Sequence, residues 1–180
     1  IINEFIKRDN WTESPTTLHL LEQSMLVFDF DQISLLTNSI FKNNVAMRSG
    51  GAVYWYGEDG QIKNVTFENN RALGLVEDIN AFGQRSLGGH GGAVIWTGSD
   101  GRIENCTFKR NNASRNGGAI FMESSEVGNY IIDCKNITVS GCDFVENYAG
   151  INGGAVDWYE GAHPGTDKNV LRNINFCIHS

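Results

Sequence analysis

Residues 50–67 read Gly50-Gly-Ala-Val-Tyr-Trp-Tyr-Gly-Glu-Asp-Gly-Gln-Ile-Lys-Asn-Val-Thr-Phe67. Residues 91–108 repeat them almost word for word: Gly91-Gly-Ala-Val-Ile-Trp-Thr-Gly-Ser-Asp-Gly-Arg-Ile-Glu-Asn-Cys-Thr-Phe108. Working outward, each Phe opens a Phe-x-x-Asn motif. The four copies are Phe41 with Asn44, Phe67 with Asn70, Phe108 with Asn111 and Phe144 with Asn147. Each is followed by Gly-Gly-Ala and a β-branched residue, beginning at Gly50, Gly91, Gly117 and Gly153. An apolar residue stands five positions before each Phe (Leu36, Ile62, Ile103, Val139), and Leu171 keeps that place before Phe176. A repeat this dense is one supersecondary unit, and such a unit cannot bury its apolar face alone.

The shortest period, from Phe41 to Phe67, is 26 residues. Two segments per unit read as strands, typified by Ile62–Phe67, with a turn at Asn64, and Gly51–Trp55, with Asn and Gly at the corners. The 20 Asn and 21 Gly against two Pro favour many short elements joined by tight turns. These features predict an all-β fold: a parallel β-helix of about five to six coils, in which like residues stack on like. Phe41, Phe67, Phe108 and Phe144, and Asn44, Asn70, Asn111 and Asn147, are then structural ladders. Stacked Asn amides can hydrogen-bond along their column. Residues 36–180 form the repeats, the last incomplete, and 1–35 a degenerate coil or cap of the same single domain. Val53, Val94, Ile120 and Val156 form one uniform column, and Trp55, Trp96, Met122 and Trp158 another; uniform columns point inward. The mixed column Tyr54, Ile95, Phe121 and Asp157 is expected to face solvent.

The net charge of −7 argues against a grip on nucleic acid or anionic lipid. No apolar run reaches 18 residues, so no membrane span is expected. The chain opens without Met or a signal-like segment, and so is expected to be processed or a fragment. Three insertions break the repeat: Arg71 to His90, Glu123 to Asp133 and Glu160 to Asn169. Such insertions leave a solenoid as loops and commonly build its binding surface. The first falls at a different corner from the other two.

Asp29 and Asp31 share one strand face, a weak basis for paired-carboxylate glycoside hydrolysis. Metal ligation by Asp29, Asp31 or Glu58-Asp59 would need more convergent oxygens than the sequence shows. His19, His90, His163 and His179 occupy unrelated repeat positions. No catalytic residue, metal or cofactor is therefore assigned. Cys106 and Cys142 fall at the same repeat position and read as buried thiols, because in-register stacking aims their Cβ vectors alike. Of five N-x-S/T sequons, Asn10, Asn112 and Asn136 are the glycosylation candidates. Asn64 and Asn105 read as by-products of the repeat.

The Phe-x-x-Asn and Gly-Gly-Ala-[Ile/Leu/Val] motifs resemble the repeats of chlamydial polymorphic outer membrane proteins. The fuller stretches 50–67 and 91–108 are similar to adhesin-like surface proteins of methanogenic archaea. The resemblance covers about residues 36–180. It implies a right-handed parallel β-helix on the cell exterior, used for attachment or as a structural layer, and it transfers no catalytic residues. The expected function is a non-catalytic, extracellular adhesin-type module for glycans or partner cell surfaces, with Tyr54, Tyr56, Phe121, Asp157 and Tyr159 as contacts. The alternative is a subunit of a surface layer or filament, joined to further copies through open solenoid ends. A polysaccharide-degrading enzyme is the third possibility.

Overall fold

A computed structural model describes residues 26–30, 35–75, 77–79, 85–127, 130–132, 134–159 and 170–177. Four parallel sheets run along one axis, and among the described residues there is no helix. The tryptophan sheet joins Leu26–Phe30, Val53–Gly57, Val94–Thr97, Ile120–Glu123 and Val156–Tyr159. The isoleucine sheet joins Leu35–Thr37, Gln61–Lys63, Arg102–Glu104, Thr138–Ser140 and Val170–Arg172. The phenylalanine sheet joins Ile40–Lys42, Thr66–Glu68, Thr107–Lys109, Asp143–Val145 and Asn175–Cys177. The alanine sheet is two residues deep: Val45–Ala46, Arg71–Ala72, Asn112–Ala113 and Tyr148–Ala149. This is a parallel β-helix in which each coil contributes one short strand to each wall.

Four strands per coil replace the two expected from the sequence. The segment Ile62–Phe67 is not one strand, because Asn64 adopts a left-handed conformation with φ of 54° and turns the chain onto the next wall. Asn38, Asn105 and Asn173 do the same in their own coils, and Gly141 supplies the equivalent turn. Asn pays little for this conformation, since its short amide bonds locally. A second left-handed column holds Asn43, Asn69, Arg110 and Glu146; a third holds Asp59, Asp100 and Asn136. The first Gly of each pair forms the fourth, with φ between 60° and 66° at Gly50, Gly91, Gly117 and Gly153. The second Gly serves another need. A Cβ on Gly92 would overlap the Gly118 carbonyl oxygen of the neighbouring coil, and one on Gly51 would overlap that of Gly92.

Inside, the columns stack in register. The rings of Phe41, Phe67, Phe108, Phe144 and Phe176 lie 5.2, 4.9, 4.8 and 5.5 Å apart in turn. The indoles of Trp55 and Trp96 lie 4.7 Å apart and 3° from parallel. Burying one such aromatic contributes about 1.5–3 kcal/mol. The asparagine column carries polarity into this interior at no net loss of hydrogen bonds. Asn44 Nδ2 donates to Asn70 Oδ1 at 2.8 Å, Asn70 to Asn111 at 2.9 Å and Asn111 to Asn147 at 2.9 Å. Each of these acceptor oxygens also takes a backbone N–H from the preceding Asn. The second proton of each amide from Asn70 onward goes to a Phe carbonyl: Phe41, Phe67 and Phe108.

Cys106, Cys134 and Cys142 are buried free thiols and Cys177 is an exposed one. The Cys142 sulfur beside it, together with burial, pushes the Cys106 thiol up.

Candidate binding face

The tryptophan sheet turns Val53, Trp55 and their equivalents inward, which leaves two rows on its outer surface. One row runs Tyr54, Ile95, Phe121, Asp157 in register; the other runs Tyr56, Thr97, Glu123, Tyr159. Neighbours in a row are ~4.8 Å apart, so each row spans about 14 Å along the axis. Three of the five tyrosines of the chain lie here. The other walls present polar and charged side chains, such as Gln61 and Lys63, Arg102 and Glu104, or Thr107 and Lys109, with scattered exposed Leu35, Ile40 and Tyr148.

The insertions meet at this sheet. The first leaves the coil beyond Leu75 and returns at Gly88, just ahead of strand Val94–Thr97, and its chain forms an antiparallel hairpin, Glu77–Ile79 with Arg85–Leu87. The second follows strand Ile120–Glu123 and forms another hairpin, Ser125–Val127 with Tyr130–Ile132. Their different corners are thus the two borders of one sheet. The third insertion lies outside the described residues. Gly88 and Gly89 let the first insertion rejoin tightly. Gly89 N donates to the Arg48 carbonyl at 2.9 Å, and a Cβ on Gly89 would collide with the Ser114 hydroxyl.

The middle of this surface is closed, which corrects the expectation of a solvent-facing column. Ile95 is 2% exposed and Phe121 3%. The His90 ring lies on Phe121, 4.5 Å centre to centre, and the corner at Gly50 crowds Ile95. Phe121 is therefore packing and is not available as a surface contact. The remaining expected contacts stay accessible to different degrees: Tyr159 is 63% exposed, and Tyr54, Tyr56 and Asp157 are half-buried.

Glu123 is the residue that repeat arithmetic missed. It stands in register between Thr97 and Tyr159, and burial pushes its carboxyl up to about 7. Burial first, then the charge of Glu123, raises the Tyr54 phenol. The surface thus combines aromatic edges with a carboxyl that burial raises to about 7, so that both its protonated and its ionised form are populated near neutral pH and it can donate to or accept from hydroxyls.

The other singled-out residues lie elsewhere. The backbone of Asp29 pairs with Tyr56 at the edge of this sheet, while Asp31 falls outside the described residues. Glu58 and Asp59 are exposed on a corner. Asn10, His19, His163 and His179 also lie outside the described residues. Asn112 is half-buried on the alanine sheet, and Asn136 Nδ2 donates to Asp100 Oδ1 at 3.0 Å. Asn64 and Asn105, set aside on the sequence, are exposed at left-handed corners, where Asn64 Nδ2 donates to Asn38 Oδ1 at 3.4 Å. Among the described residues, no helix is long and apolar enough to cross a membrane.

No curated protein and no solved structure matches the chain. Residues 19–173 match the right-handed beta helix region family, which extends the pattern upstream of the first clear Phe-x-x-Asn copy. With most of its length matched and its coils stacked in four parallel sheets, the chain belongs to the right-handed β-helix family.

Proposed function

We infer that the chain is a non-catalytic attachment module of the cell exterior, of the adhesin type, which holds a glycan or a partner surface on the outer face of the tryptophan sheet. One observation carries this reading: insertions enter at both borders of this sheet, and its outer rows hold Tyr54, Tyr56 and Tyr159 beside Glu123 and Asp157. Tyrosine suits the task because its ring covers apolar C–H faces while its hydroxyl stays hydrogen-bonded to water or ligand. The carboxylates and the charge of −7 favour uncharged ligands over polyanions. A glycan array, followed by binding to intact cells, tests it. The double variant Tyr56→Ala, Tyr159→Ala should lose about tenfold or more in affinity while keeping its fold. Wild-type affinity in that variant would sink the assignment of this face. Release of glycan fragments, lost on Asp29→Asn, would instead make the protein an enzyme.

A second reading rests on the last described coil, where Leu171 is 45% and Phe176 59% exposed although both continue interior columns. A further coil, of this polypeptide or of another copy, would bury them. As a subunit of a surface layer or fibre, the chain would grow into rods in a concentration series followed by light scattering. Phe176→Asp should abolish that growth, and a monomer at every concentration would exclude it.

A further inference from the structure

Around the corner from Tyr56, a groove of about 410 Å³ lies between the tryptophan and isoleucine sheets. Its six lining residues form two in-register rows of three. Asp59, Asp100 and Asn136 occupy the third left-handed column; Gln61, Arg102 and Thr138 follow on the outer side of the isoleucine sheet. The turns are held coil to coil, with Asp59 N donating to the Ser99 carbonyl at 3.0 Å and Asp100 N to that of Lys135 at 2.9 Å. The groove is therefore rigid in its floor and repeats along the axis every ~4.8 Å.

Its chemistry is mixed in a way that selects a ligand. Two carboxylates stacked on successive coils repel one another. The asparagine column shows the neutral alternative this fold uses when a corner serves stacking alone. In the left-handed column of the groove only the third member, Asn136, is an amide, and its Nδ2 engages one oxygen of Asp100. The carboxylates offer acceptors on one wall, whereas Arg102, Gln61 and Thr138 offer donors on the other. A phosphate or sulfate would be repelled by Asp59 and Asp100. A bare cation would face Arg102 and lack the six to eight oxygens that calcium takes. A hydroxyl both donates and accepts, so a chain of hydroxyls satisfies both walls at once.

We propose that this groove is a second ligand site, separate from the tyrosine face, which takes a neutral sugar chain lying parallel to the rod axis. Each sugar ring spans about one coil step, its hydroxyls donating to Asp59 and Asp100 and accepting from Arg102, Gln61 and Thr138. Without an aromatic platform the site is weak, and its contribution comes through adding to a contact made elsewhere on the same polymer.

The test uses the whole chain, made in bacteria and labelled with nitrogen-15. It is titrated with cellohexaose, maltohexaose and mannohexaose in turn, and separately with calcium chloride. At least one oligosaccharide should shift the amides of residues 59–61, 100–102 and 136–138 in a saturable way. Arg102→Ala and Asp100→Asn should each weaken that response about tenfold. Lys109→Ala, on the phenylalanine sheet, should leave it unchanged, and the amides of residues 54–56 and 156–159 should not shift together with those of the groove, which keeps this site distinct from the tyrosine face. No shift with any of the three sugars, equal shifts in Arg102→Ala, or a response to calcium alone would each overturn the proposal.

Discussion

At the scale of single residues, the asparagine column and Glu123 pose opposite electrostatic problems. Asn111 donates to Asn147 Oδ1 and to the Phe67 carbonyl, and its own oxygen accepts from Asn70 twice. Asn111→Ala leaves those buried groups without partners and should cost about 2–4 kcal/mol, read by urea unfolding. Asn111→Asp should cost more, since it removes both donors and buries a charge. Glu123 instead carries an ionisable group into a poorly solvated place. Unfolded, its carboxyl titrates near the ordinary 4.5; folded, near 7. The native state therefore holds the extra proton between those values. The contribution of Glu123 to stability is greatest below about pH 4.5, falls as pH rises to about 7, and is flat beyond. The loss from this residue is about 3 kcal/mol, and Glu123→Gln should flatten the profile and leave the variant more stable than wild type at pH 8. The asparagine column was legible because four copies keep one spacing. Glu123 was not, because its equivalents are Thr97 and Tyr159, and a role held by one copy leaves no trace in a repeat pattern.

At the scale of elements, the corners decide more than the strands. Among the described residues no strand exceeds five residues, so its direction is set by the turn before it. Gly92→Ala should unfold or severely destabilise the rod, because the added methyl meets the Gly118 carbonyl oxygen and the backbone of Asn112. Glu146→Asn at a left-handed corner should raise stability by up to about 1 kcal/mol, measured by thermal unfolding. The same logic explains where sequence reading stopped. The step of three from Ile62 to Val65, then two from Val65 to Phe67, carries the corner between two walls; the turn at Asn64 was legible, but that it separates two strands of different sheets was not. Polarity likewise misjudged the outer row of the tryptophan sheet. Tyr54 and Asp157 suggested water, but Ile95 and Phe121 lie under neighbouring chain that no local pattern describes. The groove column was present in the sequence, each member eight residues before its Phe. Of its members Asp59 draws attention there only beside Glu58 as a metal candidate, and Asn136 only as a sequon, because a shared offset does not show that three side chains line one groove.

At the scale of the molecule, the hydrogen bonds between coils all run along the axis, whereas those of a hairpin run within one local unit. A β-helix pulled from its two ends would therefore bear tension on one coil's bonds at a time and yield by unwinding in order. Equivalent positions in successive coils lie 26, 41, 36 and 32 residues apart. Single-molecule pulling should then show a short series of unequal lengthenings, roughly 90–140 Å each, reversible on relaxation. A cell held by such a module would be tethered through a spring that pays out chain before the attachment itself is broken.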